Sequence, residues 1–189
     1  MAKKMIPLFL LVLVLACQRD NSTEPDKETP SSDSSEYFPL AQGNEWRYYE
    51  PGHSDATRSI RVWETVTIDD TLYYLYGNKL ETAEMLYQDQ WGRIYKRFNG
   101  RTLLWLDFSL KDGETYQYTL SENLDYTVTV KKNLSITYDD HSFDNCISIS
   151  FDVPDLFDEE MAYVFAPQVG PVQIIGAWVT QYLASWNLE

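Results

Sequence analysis

The stretch TYQYTLSENLDYTVTV, residues 115–130, decides the fold class. In its first half Tyr116, Tyr118 and Leu120 alternate with Thr115, Gln117 and Thr119. In its second half Tyr126, Val128 and Val130 alternate with Asp125, Thr127 and Thr129. Successive side chains of a strand point to opposite faces, so this period of two gives each half one apolar and one polar face. Outward from it, short runs rich in Val, Ile, Thr, Tyr and Trp recur without a helical period. Strands are expected near 45–50, 58–68, 71–77, 83–89, 92–98, 101–107, 114–120, 125–132, 143–152, 160–166 and 171–184.

Asp69-Asp70, Gly77-Asn78, Asn99-Gly100, Asp112-Gly113 and Asp139-Asp140 punctuate these runs at short intervals, Asn-Gly being the strongest hairpin signal. The reading is all-β: an antiparallel meander of about eleven strands without substantial helix. So many strands curl into a barrel or half-barrel or split into two packed sheets, since long open twisted sheets are uncommon. In Thr71–Tyr76 and Leu103–Phe108 both alternating sets are apolar, which predicts strands covered on both faces and central in the sheet.

The first seventeen residues, MAKKMIPLFLLVLVLAC, carry the address. Lys3 and Lys4 precede an apolar run from Ile6 to Ala16 that is about half the length of roughly 20 residues needed to span a bilayer. It reads as a signal peptide, residues 1–16, cut before Cys17, which becomes the lipid-bearing N-terminus and carries acyl chains such as palmitate. Each buried methylene contributes about 0.8 kcal/mol, and more than one chain gives stable attachment. Residues 17–36 then form the lipidated cysteine and a tether rich in Ser, Thr, Asp, Glu and Pro, too polar to order itself, spanning roughly 25 Å as a coil. Residues 37–189 make a single β-rich domain.

Losing residues 1–16 takes the formal charge from −14 to −16. Such a charge repels nucleic-acid phosphates and anionic headgroups, so no nucleic-acid partner is expected and membrane attraction comes from the lipid.

Four segments carry a family resemblance: Tyr37-Phe38-Pro39-Leu40-Ala41-Gln42-Gly43-Asn44-Glu45-Trp46, Leu106-Asp107-Phe108-Ser109, Asn145-Cys146, and Tyr163-Val164-Phe165-Ala166-Pro167-Gln168-Val169-Gly170. Together they resemble a family of uncharacterised bacterial envelope lipoproteins. The resemblance implies a lipid-anchored protein of the cell envelope, expected on the outer membrane with its domain facing the periplasm or the exterior. It brings no catalytic residues. Read from the residues themselves, the segments are structural: Gly43-Asn44 is a turn before the first strand with Phe38 and Leu40 packed on its start, and Pro167 with Gly170-Pro171 shapes a late loop that also has the means to touch a ligand.

Catalytic groups are sparse. His53 and His141 sit in polar, turn-like surroundings, and no nucleophile elbow accompanies them. Cys146, the only cysteine besides Cys17, is expected to be a free thiol on the side of its strand shared with Ser148 and Ser150, in an acidic neighbourhood that discourages a thiolate. Glu64 falls on the apolar side of its strand with Ile60, Val62, Val66 and Ile68. A buried acid there would suit an acidic-pair hydrolase, while a β-bulge or an arginine partner explains it equally. Asp152, Asp155, Asp158, Glu159 and Glu160 form an acidic run whose spacing does not match a calcium loop, so neither metal nor cofactor is expected.

Aromatics make up 15% of the chain, among them 14 Tyr and 6 Trp. Trp63 and Trp91, sharing faces with Thr65, Thr67 and Arg93, are the candidate ligand-binding residues, the alternative being cross-strand packing pairs. The expected function is that of a non-enzymatic binding or assembly module. Its candidate partners are the membrane through Cys17 and a carbohydrate, peptide or apolar ligand.

Overall fold

The computed structural model describes residues 36–52, 57–121, 124–154, 156 and 160–189. The segments read as signal peptide and tether, Cys17 included and apart from Glu36, together with His53, Asp155, Asp158 and Glu159, lie outside the described residues. Twelve strands are present: β1 Glu45–Tyr49, β2 Arg58–Ile68, β3 Thr71–Gly77, β4 Glu84–Gln88, β5 Ile94–Phe98, β6 Arg101–Leu106, β7 Thr115–Ser121, β8 Leu124–Tyr138, β9 His141–Asp152, β10 Met161–Ala166, β11 Gly170–Ile175 and β12 Thr180–Asn187. A 3-10 turn, Leu80–Thr82, follows β3.

All twelve strands form one antiparallel sheet, ordered β6-β5-β4-β3-β2-β1-β12-β11-β10-β9-β8-β7. Every pair of chain neighbours except β6 and β7 is hydrogen-bonded, and β1 also pairs with β12, so the first and last strands close the sheet on itself. The opening falls in mid-chain, between β6 and β7, where no ladder forms; the Tyr116 hydroxyl spans it by donating to the Trp105 carbonyl at 2.6 Å. The result is a nearly closed barrel with one lengthwise seam. Hairpin turns land where Asp and Gly placed them: Asp69, Asp70, Asn99, Gly100 and Asp139 all have positive φ, the conformation that two-residue hairpins require.

Two expectations about strands change. The run 171–184 is two strands, β11 and β12, folded at Gly176–Val179; it contains no charge to mark the turn. The segment 103–108 is not central. Its first four residues lie in β6, an edge strand of the ladder, and it is buried instead by β7 across the seam and by the N-terminal segment. β3 does lie within the sheet, and both its faces are covered from Tyr73 on: Tyr76 packs on interior rings, while Tyr73 is buried outside between Tyr87 and Arg97; Leu72, at the start of the strand, is exposed.

The interior is filled with rings. Phe38, fully buried, lies within 5.3–6.3 Å of Tyr76, Phe165, Trp46 and Trp105, which come from strands all around the barrel. Residues 36–44 therefore close one end of the barrel as a stopper. Asn44, buried, pins this stopper: its amide donates to the Pro39 carbonyl at 2.7 Å and accepts from the Glu189 amide at 2.8 Å.

The four segments that carry the family resemblance meet at this closed end. Trp46 Nε1 donates to the Val169 carbonyl at 2.6 Å, and the Gln168 amide donates to the Glu36 carbonyl at 2.7 Å. Tyr37 stacks on Phe108 at 5.8 Å and its hydroxyl donates to the Asn145 carbonyl at 2.9 Å. Phe108 packs edge-on to Phe165, and Asp107 caps its own turn by accepting from the Ser109 amide and hydroxyl. Gly170 (φ 99°) has to be glycine because a Cβ there would stand 2.8 Å from Trp46 Nε1.

The β8–β9 hairpin is longer than its neighbours. Bulges at Asn133 and Asn145, with φ of 56° and 55°, let its outer half bend away from the wall as an arm. The arm lies on the side of β1 and β12 that carries Tyr49 and Tyr182, opposite Tyr48 and Leu183. Tyr138 packs on Tyr182 at 4.8 Å and donates to the Val172 carbonyl at 3.0 Å, and Tyr49 donates to Asp139.

Candidate functional site

The bulges decide where the sequence-predicted chemistry points. In β2 the pairing with β3 slips between Val62 and Thr65, so the alternation that would have turned Glu64 inward is broken and its side chain is exposed. The bulge reading of Glu64 is the one realised, and no buried acid remains for an acidic pair there. In β9 a bulge at the left-handed Asn145 precedes Cys146, and Cys146 and Ile147 are both buried. Cys146 thus sits fully buried in the apolar core, two residues from the half-buried Ser148 on the same strand. Burial, helped by Asp144, pushes its thiol up to about 11. His141 is half-buried against Phe143, Tyr138 and Trp186, each about 6 Å away, in place of the expected polar surroundings. Asp152 and Glu160 are exposed, and among the described residues no three His, Cys, Asp or Glu side chains converge as metal ligands.

Trp63 and Trp91 stand on separate elements. Trp63 is half-buried in the wall, its indole donating to the Gly77 carbonyl at 2.9 Å with Arg61 5.5 Å from its ring. Trp91, 36% exposed, lies in the β4–β5 turn beneath Arg93 at 4.9 Å. That turn is organised by Asp89, which accepts from the Trp91 and Arg93 amides, the Arg93 guanidinium and the Tyr95 hydroxyl. The aromatic surplus thus has two structural uses: interior packing, and an outer ladder of Tyr73, Tyr87 and Tyr95 covered by Arg97 and Arg93.

A different place has the shape of a site. On the outer wall near the closed end, Glu45, Arg47, Ser185, Trp186 and Asn187 line a hollow of about 220 Å³. Register explains the polar set: Glu45 opposes Asn187 and Arg47 opposes Ser185, so four polar groups share one face. Trp186, between Ser185 and Asn187 and opposite Trp46 in the ladder, completes the lining. Trp186 is 39% exposed and is backed by His141 and Phe143 of the arm, each 6.0 Å away. Glu45 accepts from the Ser59 hydroxyl at 2.5 Å and from Arg47 at 3.3 Å. The Ser59 hydrogen bond, with Arg47 adding to it, holds the Glu45 carboxyl below its ordinary range. Sequence reasoning missed Trp186 because its neighbours come from three elements; only its place in an uncharged run, Met161–Leu188 in an acidic chain, hinted at it.

The opposite end of the barrel is distinctive too. Leu80, Phe98, Leu156, Trp178 and Val179 are exposed on its loops, Trp178 at 84%.

No protein-family model matches the chain, and no curated protein matches its sequence. Two solved structures are similar in shape. A Bacteroides fragilis protein, inferred to be exported and described as having a YmcC-like fold, aligns with a TM-score of 0.40 and 10% identity over 80% of this chain and 99% of that one. A Parabacteroides distasonis protein, inferred to be a lipoprotein, aligns with a TM-score of 0.35 and 15% identity over 80% and 98%.

Proposed function

We propose that this protein is a lipid-anchored component of the bacterial envelope, held through Cys17, whose barrel is a non-enzymatic binding module with its ligand site at the Trp186 hollow. The observation that carries the binding reading is that hollow: an exposed indole held in place by the arm, beside four polar side chains on one rigid face. Filled interiors leave ligands the outside of a barrel, and flat rings on a rigid sheet offer large contact area at small entropy cost. The reading against catalysis is supported by the burial of Cys146 and the exposure of Glu64. The anchor reading rests on the apolar run ending at Ala16-Cys17 and a polar stretch long enough to hold the barrel off a membrane.

Two measurements test this. Intact mass of the membrane-extracted protein is expected to show a diacylglycerol on Cys17, and Cys17→Ser is expected to release the protein; an unmodified N-terminus elsewhere removes the anchor. Hydrogen exchange with separate glycan, peptide and lipid fractions of the envelope is expected to show protection around Ser185–Asn187 with one of them. Exchange unchanged by every fraction removes the binding module.

A further inference from the structure

Donor and acceptor chemistry narrows what the hollow holds. Its charged groups, Glu45 and Arg47, already pair with each other, so the site carries no net charge to attract an ion. An anion would meet the Glu45 carboxylate, and a cation would meet Arg47. The Ser185 hydroxyl and the Asn187 amide are exposed and engage no other side chain among the described residues, leaving one hydroxyl and one amide able to donate and to accept. Glu45 adds acceptor oxygens and Arg47, more than half exposed, adds donors. Trp186 supplies an apolar surface. A ring whose hydroxyls each donate and accept, and whose C–H face is apolar, matches this set; a peptide carboxylate or a phosphate uses only the donors.

From this we infer that the hollow binds a neutral sugar ring, seated against Trp186 with its hydroxyls on Glu45, Arg47, Ser185 and Asn187. This inference rests on the binding reading above and names its ligand class. Glu45 acts as an acceptor, its carboxylate already oriented by the Ser59 hydroxyl and Arg47. The arm belongs to the site, since His141 and Phe143 hold the indole where the ring would stack.

The test uses the full acylated chain in detergent and a panel of methyl glycosides of glucose, galactose, mannose and N-acetylglucosamine, read by the NMR signal of the Trp186 indole N–H. At least one glycoside is expected to shift that signal with an affinity that does not change between low and high salt, as befits a neutral ligand. Followed by saturation transfer to the glycoside, since these variants lack the indole, Trp186→Ala is expected to weaken binding by about tenfold or more, and Trp186→Tyr, which keeps a flat ring, to recover most of it. Arg47→Ala, remote from the core, is expected to weaken binding with an unchanged melting temperature. A panel without effect on the indole overturns the sugar assignment. If the peptide fraction nevertheless protects residues 185–187 from exchange, the binding reading survives with another ligand; if no fraction does, both fall. Binding that weakens steeply with salt also overturns the neutral class.

Discussion

Phe38 touches rings from β1, β3, β6 and β10 at once, so one side chain outside any strand holds the interior together. Phe38→Ala is expected to cost about 3–5 kcal/mol through lost burial and the cavity left behind. Trp178→Ser, at 84% exposure, is expected to stay within about 0.5 kcal/mol of the parent. Urea denaturation of both variants checks the pair; equal stabilities would mean that residues 36–44 do not close the barrel. At this scale much was legible: Phe38, Gly43 and Trp46 stand out in the sequence as a structural start. What was not legible is the direction of Glu64 and the full burial of Cys146. A bulge adds one residue to one strand and reverses every later side chain, and nothing in Val62–Thr65 marks that extra residue.

The β8–β9 arm is the element that most departs from a plain meander. Its contacts with β11, β12 and β1 are made by Tyr138, Asp139, His141 and Phe143, all near the tip. Tyr138→Ala removes both the ring packing on Tyr182 and the hydrogen bond to the Val172 carbonyl. Amide exchange of residues 134–146 is then expected to rise by on the order of tenfold or more while β2–β5 keeps its rates. Uniform acceleration would instead make Tyr138 part of the global core. Strand positions from β1 to β7 follow the alternation and the Asp and Gly turns closely. β11 and β12 did not separate in the sequence, because a strand covered on both faces loses its polar alternation, and their turn Gly176–Val179 is as apolar as the strands it joins.

Across the whole molecule the tyrosines set a pH limit. Burial raises Tyr48, Tyr76, Tyr116, Tyr138 and Tyr163 well above the ordinary phenol range, Tyr118 to about 12 and Cys146 to about 11. These groups lose a proton on titration and do so later when folded, so above the unfolded values the native state holds more protons than the unfolded chain. Their contribution to stability is complete below about pH 8.5, where the unfolded thiol begins to ionise, and drains as pH rises through 10 to 12. A parallel titration by tyrosinate absorbance and circular dichroism is expected to show these phenols ionising together with loss of the sheet. Full tyrosinate absorbance in an intact fold would contradict the interior described here. Iodoacetamide is expected to leave Cys146 unmodified until the same transition.

The sequence by itself determined the all-β class, the antiparallel meander and most strand boundaries, because side-chain alternation and turn residues are local properties that act within a few positions. Tertiary structure alone decided that β1 closes on β12 while the seam opens between β6 and β7. It also decided that four scattered segments converge on Phe38, and that Trp186 meets Arg47, Glu45 and the arm in one hollow. Those outcomes depend on register and bulges summed around twelve strands, and a slip of one residue anywhere in that sum would send the same side chains to the other face.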